Sequence, residues 1–217
     1  MRCLFPTLLT CAAALFSVPV RALDTSMLPP PDPWRYLPLQ RTQALLAASN
    51  DEHPHPVRIL FYGQSITLQR WWLSTADELR RLFPKARLEI ANRAISSFKA
   101  PLLIKTAEAD VYPYHPDLIL FHCYGGLDPG PEWEQLLRRF RARTTADVIL
   151  LGNHVTSDDE IAEPTDPAAI SYRSEAWLNY VLSPALVQEL GFCFPDNRTA
   201  WKAYLKARDL PASALLT

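Results

Sequence analysis

A serine follows a short apolar run, at the point where a buried strand would have to turn. Residues 58–67 read RILFYGQSIT, so Ser65 comes directly after Gly63 and Gln64. A serine hydroxyl at such a corner can act as a nucleophile, and backbone N–H groups of the following helix can stabilise the negative charge that develops. The alternative is that Ser65 only caps that helix.

Polar residues also follow the next three apolar runs. Asn92 and Ser97 come after the second run, Tyr124 and Gly126 after the third, and His154 after the fourth. The carboxyl ends of parallel strands meet at one edge of a sheet, where α/β proteins place their binding and catalytic sites. We therefore expect these residues to converge with the serine, which capping of separate helices would not explain.

The apolar runs predict the elements that would position these side chains. Buried strands are expected at residues 57–62, 86–90, 117–122 and 147–151, with a further candidate at 191–194. Apolar residues at helical spacing accompany them: Trp72, Ala76, Leu79 and Phe83; Trp133, Leu136, Leu137 and Phe140; Tyr172, Ala176, Tyr180 and Val181; and Trp201, Tyr204 and Leu205. This alternation predicts a mostly parallel sheet with helices on both faces.

The composition limits the partners and the compartment. The 217-residue chain has a formal net charge of −1, which gives no basis for binding nucleic acid. Residues 1–22 have the pattern of a signal peptide, so we expect a secreted or periplasmic protein without stable membrane insertion after cleavage. An uncleaved anchor and a lipoprotein modified at Cys11 are the alternatives. Residues 23–56 are predicted to form a proline-rich lead, extended at 28–38, and residues 57–217 the main domain.

Two cysteines remain after the signal peptide, Cys123 and Cys193. Both lie in apolar stretches, which favours two buried thiols over one disulfide. No Cys/His cluster has the spacing of a zinc site, and no metal or organic cofactor is expected.

Four segments together resemble the SGNH, or GDSL-like, hydrolases: ILFYGQSIT, NRAISSF, PDLILFHCYGG and WKAYLKARDL. The resemblance runs from Val57 to the last residue, and its first block is most similar to a secreted branch in which this block reads GQSI. It implies a flavodoxin-like three-layer α/β/α sandwich. It also implies a serine esterase or lipase, and many secreted members of the superfamily remove acetyl groups from polysaccharides.

The resemblance assigns roles by position. Ser65 matches the nucleophilic serine, and Gln64 stands where most members have aspartate. Ser97 falls at a glycine whose backbone N–H binds the oxyanion; serine keeps the N–H but loses the glycine's freedom of φ. Asn92 matches a polar residue at the same strand end and is expected to brace the loop.

The third block departs from the family pattern. Most members have Gly-x-Asn-Asp there, with the asparagine as an oxyanion donor, whereas residues 124–127 read YGGL. His122, Tyr124 and Asn153 are the candidates to replace that donor, and Gly126 is a further candidate for substrate contact. Losing one such donor typically costs about 3 kcal/mol of transition-state stabilisation.

The family's last block, Asp-x-x-His, has no counterpart in the closing residues LPASALLT. We expect either a reading frame truncated before that block or another histidine in the role of general base. His154 is the candidate within the chain, with Asp158 or Asp159 to orient its ring. The alternative for His154 is a loop histidine that lines the cleft.

Two functions fit these residues. The first is a secreted serine esterase that removes acyl groups, and especially acetyl groups, from a carbohydrate through an acyl-enzyme. The second is a carbohydrate-binding relative with impaired catalysis. Acyl transfer to a sugar uses the same chemistry, and a nucleotide-binding protein is disfavoured because the glycines are too sparse for a phosphate-binding loop. Trp71, Trp72 and Tyr124 are candidates for stacking on sugar rings, with core packing as the alternative.

Overall fold

A parallel sheet of four strands, in the order β2-β1-β3-β4, forms the centre of the molecule. The computed structural model describes residues 33–124 and 130–216. The strands are β1 (Pro56–Gly63), β2 (Arg87–Asn92), β3 (Leu118–His122) and β4 (Asp147–Leu150). Cys193 pairs with Ile149 beyond β4 through one parallel bridge, so the fifth candidate strand is reduced to a single bridge.

Helices precede, connect and follow the strands. The α-helices are α1 (Gln40–Ala48), α2 (Ser65–Leu68), α3 (Trp71–Leu82), α4 (Ala100–Asp110), α5 (Gly130–Arg143), α6 (Asp158–Ile161), α7 (Glu175–Trp177), α8 (Ser183–Leu190) and α9 (Asn197–Ala207). A π-helical turn, Leu178–Leu182, joins α7 to α8. Short 3₁₀ helices lie at Pro33–Leu39, Tyr112–Tyr114, Pro167–Ala169 and Ala212–Leu215.

The sheet is covered on both faces. Side chains of β1 alternate between the faces, because successive residues of a strand point in opposite directions. Val57, Ile59 and Phe61 pack with residues of α1 and α3. Leu60 and Tyr62 lie in the larger cluster, with residues of α4, α5 and α8. The predicted flavodoxin-like three-layer α/β/α sandwich is therefore confirmed.

The proline-rich lead is folded where the structure describes it. Residues 33–38 belong to a 3₁₀ helix, so the prediction of an extended segment is wrong there. Helix α1, which the pattern did not predict, is anchored at the amino edge of the sheet. The backbone N–H of Thr42 donates to the Asp147 carboxylate at 2.6 Å, and the Arg41 guanidinium donates to Asp117 at 2.8 Å. Both carboxylates are largely buried, so these bonds hold α1 firmly.

The predicted stripe that begins at Tyr172 is wrong at its first residue. Helix α7 starts only at Glu175, because the Ser174 side chain accepts a hydrogen bond from the backbone N–H of Trp177 and caps the helix there. Tyr172 therefore precedes the helix, and it is 70% exposed. Within residues 33–124 and 130–216, no helix has the length and apolar character needed to cross a bilayer.

The ends of β1 and β3 approach each other unusually closely. Gly63 is paired with His122 and has φ +144, a conformation that residues with a side chain rarely adopt. A β-carbon on Gly63 would lie 1.9 Å from the carbonyl oxygen of His122. Glycine is therefore required for the register that brings these two strand ends together.

Replacing Gly63 by alanine should destabilise the protein by at least about 3 kcal/mol, because backbone atoms of two central strands would have to separate. Gly191→Ala is the matched control. Gly191 also has a positive φ (+62) but has open space around it, so only the backbone cost of about 1 kcal/mol is expected. Urea unfolding of both variants measures the difference, and equal losses would contradict the proposed clash.

Candidate active site

Ser65 lies at the point where the strand order reverses. Helices follow β1 and β3 in opposite directions from the boundary between these two strands, and such a switch point opens a crevice at the carboxyl edge of the sheet. Ser65 is the first residue of α2, and Gln64 holds the N-cap position without a side-chain capping bond. The serine is exposed, and its hydroxyl makes no hydrogen bond to any described residue. Its hydroxyl therefore does not cap α2.

Helix α2 is only one turn long, so it contributes little dipole to the site. Its use is to fix the backbone at the serine. The indole Nε1–H of Trp71 donates to the carbonyl of Ile66 at 2.6 Å, and the carboxamide Nδ2 of Asn92 donates to the carbonyl of Thr67 at 2.7 Å. The N–H of Ser65 is among the first of the helix, which have no acceptor within the helix. That group is available to an anionic oxygen.

The loop after β2 approaches the serine from one side. The Asn92 side chain braces it, since its Oδ1 accepts from the backbone N–H of Ala94 at 2.9 Å. The N–H of Ile95 donates to the carbonyl of Gly63 at 2.9 Å and ties this loop to the end of β1. Ser97 is exposed and has φ +65. The left-handed backbone conformation natural to glycine is thus retained at Ser97, although a serine adopts it only at some cost.

Gln64 links the serine to the loop after β3. Its side chain is 5% exposed, and its Oε1 accepts from the backbone N–H of Tyr124 at 3.0 Å. Unlike an aspartate, Gln64 is a neutral acceptor, so this position adds no negative charge to the turn. The backbone N–H of Tyr124 is consumed by this bond and is not free to bind an oxyanion.

Aromatic rings form a row across the carboxyl edge. The rings of His122 and Tyr124 are edge-to-face at 4.8 Å, and those of Tyr124 and His154 lie 5.8 Å apart. The Tyr124 hydroxyl is 3.1 Å from Nδ1 of His154. Trp201 closes the row, with its ring 5.4 Å from that of His154. This row connects the ends of β3 and β4 with α9.

His122 and His154 are both held in their neutral forms. Burial lowers the pKa of His122 to about 3, with a smaller contribution from His154, and both of its ring nitrogens are buried without a hydrogen-bond partner. Burial also lowers the pKa of His154, while the charge of Glu160 opposes this shift. A neutral imidazole can accept a proton, which a general base requires.

The predicted carboxylate partners of His154 are wrong. Asp158 instead accepts from the backbone N–H of Ala212 at 2.7 Å and anchors the 3₁₀ helix Ala212–Leu215. Asp159 is exposed and makes no hydrogen bond to the His154 ring. No described carboxylate bonds that ring, whose hydrogen-bond partner is Tyr124. The orientation of the ring is therefore set by a phenol and by stacking.

A buried ion cluster supports the backbone at His154. Arg198 is 1% exposed and donates to the carbonyl of His154 at 2.8 Å and to the carboxylates of Glu160 and Glu163 at 3.1 and 2.8 Å. A buried guanidinium with so many acceptors strongly constrains the loop. Sequence reasoning missed Arg198, because its partners lie 35 to 45 residues away and no spacing signals the contact.

Asn153 does not point towards the serine as a replacement oxyanion donor. Its Nδ2 donates to the Glu175 carboxylate at 2.6 Å, and its backbone N–H donates to Asn179 at 2.9 Å. Burial raises the pKa of Glu175, although the hydrogen bond from Asn153 opposes this shift. Glu175 is a second residue of this edge that the sequence did not reveal.

The predicted site residues that the structure describes therefore fall into two groups. Ser65, Gln64, Asn92 and Ser97 belong to bonded loops around the end of β1. His122, Tyr124 and His154 form the ring row, and no described imidazole is hydrogen-bonded to the serine hydroxyl. Gly126 lies outside the described residues. Cys123 and Cys193 are buried thiols that form no disulfide, as predicted, and burial raises the pKa of Cys123 to about 12. Within the described part of the chain, no group of His, Cys, Asp or Glu side chains could hold a metal ion.

Solved structures share this architecture. Axe2, an acetylxylan esterase from Geobacillus stearothermophilus, aligns with a TM-score of 0.59 at 18% identity, over 75% of this chain and 85% of that chain. A protein from Parabacteroides merdae described as a GDSL-like lipase aligns with a TM-score of 0.55 at 20% identity, over 71% of this chain and 83% of that chain. The chain has the SGNH, or GDSL-like, hydrolase fold.

A third similar structure is LAE5, an alpha/beta hydrolase enzyme from the metagenome of Lake Arreo, with a TM-score of 0.54 at 17% identity over 72% of this chain and 84% of that chain. Comparison with protein-family models gives no match, and neither does comparison with curated proteins. At these identities the likeness establishes the GDSL-like fold, while the GQSI branch stays a prediction from the sequence.

His122 should make the protein sensitive to acid. Its pKa is about 3 in the folded state, against about 6.5 when unfolded. The neutral ring therefore contributes fully to stability above pH 6.5, and this contribution is lost as the pH falls towards 3. Linkage predicts a loss of about 2 kcal/mol between pH 7 and pH 5.

His122→Phe keeps a ring at this position and removes the titration, so the variant should lose about 2 kcal/mol less than the wild type over this interval. Urea unfolding at pH 7 and pH 5 measures the effect, with the exposed His53→Gln as the control. Identical pH dependence in wild type and His122→Phe would show that His122 is not buried in its neutral form.

Proposed function

We propose that this chain is a serine esterase that removes acyl groups, acetyl above all, from an acylated carbohydrate. The observation that carries the proposal is Ser65, exposed directly after β1 at the switch point of a GDSL-like fold. The similar enzyme Axe2 is named an acetylxylan esterase, and structures described as its catalytic mutants have alanine in place of a serine, an aspartate and a histidine. Ser65 is the serine that would have the corresponding role here.

The reaction would follow from the geometry of the two loops. The Ser65 oxygen attacks the ester carbonyl carbon, and the carbonyl oxygen becomes an oxyanion that accepts from the backbone N–H groups of Ser65 and Ser97. The proton of Ser65 passes to a base and then to the departing sugar oxygen, which leaves as a hydroxyl. Water attacks the acyl-enzyme next, and the acid is released as Ser65 regains its proton.

His154 is the base that we propose for these proton transfers. Its lowered pKa keeps the imidazole neutral and able to accept a proton at pH 7. Its ring is bonded to Tyr124, whose backbone is in turn bonded to Gln64, the neighbour of Ser65. The proton would therefore reach His154 through the Tyr124 hydroxyl or through water, since no direct bond joins the described imidazoles to the serine.

A second function is favoured by one specific observation. The unbonded serine hydroxyl is what a carbohydrate-binding relative with impaired catalysis would show, since a serine without a bonded base is a weak nucleophile. In that case the scaffold and the loops would bind the sugar, and hydrolysis would be close to the background rate. The two functions differ in the dependence of hydrolysis on Ser65.

We also propose export of the mature chain. The support is the pattern of residues 1–22, which lie outside the described part of the structure together with most of the proline-rich residues 23–38. The proposed main domain at 57–217 contains β2, β3, β4 and all of β1 except its first residue, Pro56, and α1 from the preceding lead packs against it. Export would give the enzyme access to polymeric carbohydrate.

Replacing the proposed nucleophile tests the esterase directly. Ser65→Ala should lower kcat/KM for p-nitrophenyl acetate by at least about a thousandfold, because no covalent intermediate can form. Ser74→Ala, at an exposed serine of α3, is the matched control and should leave the rate unchanged. Hydrolysis by wild type at the rate of Ser65→Ala would favour the binding relative.

Replacing the proposed base tests His154 separately. In the wild type, kcat/KM should rise with pH through a pKa below 6.5, since burial favours the neutral ring. His154→Gln should lower kcat at least about a hundredfold and abolish this titration. The exposed His53→Gln serves as the control. An unchanged profile in His154→Gln would assign the base to another group and leave His154 as a loop histidine.

A further inference from the structure

Two aromatic rings stand together on the surface before and within α7. Tyr172 is 70% exposed, the highest value among the exposed large hydrophobic residues described. Its ring is edge-to-face with that of Trp177, with centroids 4.8 Å apart and an interplanar angle of 72°. The guanidinium of Arg173 lies 5.2 Å from the centroid of the Tyr172 ring. We call Tyr172 and Trp177 the aromatic platform.

The platform is held by a rigid turn. Arg173 has φ +61, which reverses the chain between Tyr172 and α7. The Ser174 hydroxyl donates to the carbonyl of Ser171 at 2.8 Å and accepts from the backbone N–H of Trp177 at 3.0 Å. These bonds fix both rings relative to the start of the helix, so a ligand that stacks there meets a preorganised surface.

The turn is bonded to the carboxyl edge of the sheet, on the side of β4. Glu175, two residues before Trp177, accepts from Nδ2 of Asn153 at 2.6 Å. Asn179 accepts from the backbone N–H of Asn153 at 2.9 Å. Asn153 directly precedes His154, which belongs to the ring row. The helical segment that carries the aromatic platform is therefore bonded directly to the loop that holds His154.

The two tryptophans that the sequence suggested for stacking on sugar rings contribute to core packing instead. Trp71 and Trp72 are half-buried and pack against Phe61 at 5.5 and 5.9 Å, in the cluster under α3. Tyr172 belongs to no core cluster and does not contribute in this way to the stability of the sheet. A single exposed tyrosine is ordinary. A fixed aromatic pair on a segment bonded to the His154 loop is better explained by a ligand.

We propose that the aromatic platform is a subsite for one neutral pyranose ring of an oligosaccharide, next to the unit that carries the acyl group. The C–H face of such a ring is apolar and matches an aromatic face, while its edge hydroxyls remain in water. Because the two rings meet edge-to-face, the exposed face of Tyr172 is the stacking surface and Trp177 supports it. The area of one ring face suits one sugar unit and is far below the roughly 800 Å² per partner that a stable protein interface needs. The identity of the ligand as a carbohydrate rests on the proposed esterase function.

Binding of oligosaccharides without acyl groups tests the platform independently of catalysis. Isothermal titration calorimetry would use xylotetraose, cellotetraose and mannotetraose with the full chain. Tyr172→Ala should raise the Kd of the best of these by about fivefold to tenfold, the effect of losing one stacking ring. Tyr172→Phe keeps the ring and should stay within about twofold of the wild type. Tyr36→Ala, at another exposed tyrosine, is the matched control.

The outcomes separate this inference from the proposed function. If none of the three sugars binds the wild type, or if Tyr172→Ala binds as the wild type does, the subsite is wrong. Since Tyr172 is exposed, its variants should keep the wild-type unfolding midpoint, and that measurement excludes a folding artefact. If the wild type does not hydrolyse p-nitrophenyl acetate but sugar binding depends on the Tyr172 ring, the esterase fails and the subsite stands.

Discussion

The contact on which the candidate site depends is the approach of Gly63 to the carbonyl of His122. It removes the space that a side chain would need and lets β1 and β3 end at the same level. The N–H of Gln64 then donates to the carbonyl of His122 at 3.3 Å, and the carbonyl of Gly63 accepts from Ile95 at 2.9 Å. The end of β1 is thus bonded to the end of β3 and to the loop after β2 within two residues of Ser65. The reversal of strand order supplies the crevice, and this backbone contact determines what lines it.

Neutral amide side chains add further hydrogen bonds to this arrangement of the backbone. Gln64 accepts from the loop after β3, Asn92 bonds both α2 and its own loop, and Asn153 donates to Glu175. Among the described residues, the charged partners of this edge lie on its β4 side: Glu175 is bonded to Asn153, and Arg198 is enclosed by Glu160 and Glu163 behind His154. Charge therefore stabilises the frame of the site on that side, while the side chains bonded around Ser65 present amide and aromatic groups. Such a surface suits a neutral ligand better than an ionic one.

Apolar runs were sufficient to predict β1, β3 and β4, because largely buried strands need nearly uninterrupted hydrophobic side chains. The edge strand β2 is only partly buried, and its apolar residues Leu88 and Ile90 alternate with the partly exposed Glu89. Helix α1 could not be predicted in this way, since long-range bonds of Thr42 and Arg41 hold it and its own pattern is only weakly amphipathic. The hydrogen-bond partner of His154, Tyr124, could not be predicted from the sequence either. Asp158 is only four residues from His154 but is bonded to Ala212. Proximity along the chain identifies candidates, whereas only the folded loops decide which acceptor meets which donor.

At Ser97 the backbone conformation does not follow from the type of side chain. A serine replaces the glycine typical of this position, and yet its backbone has φ +65, at a cost of about 1–2 kcal/mol for a residue with a side chain. Such a conformation persists only where the surroundings impose it, here through the bonds of Asn92 and Ile95. The loop thus holds a left-handed backbone conformation at this position, although the serine side chain does not favour it. A general base differs from a backbone donor, because it acts only if its side chain reaches the serine hydroxyl. A rigid backbone cannot substitute for that side-chain contact. The backbone conformation of this loop is therefore compatible both with catalysis through His154 and with binding alone, and the chemistry of Ser65 has to decide between them.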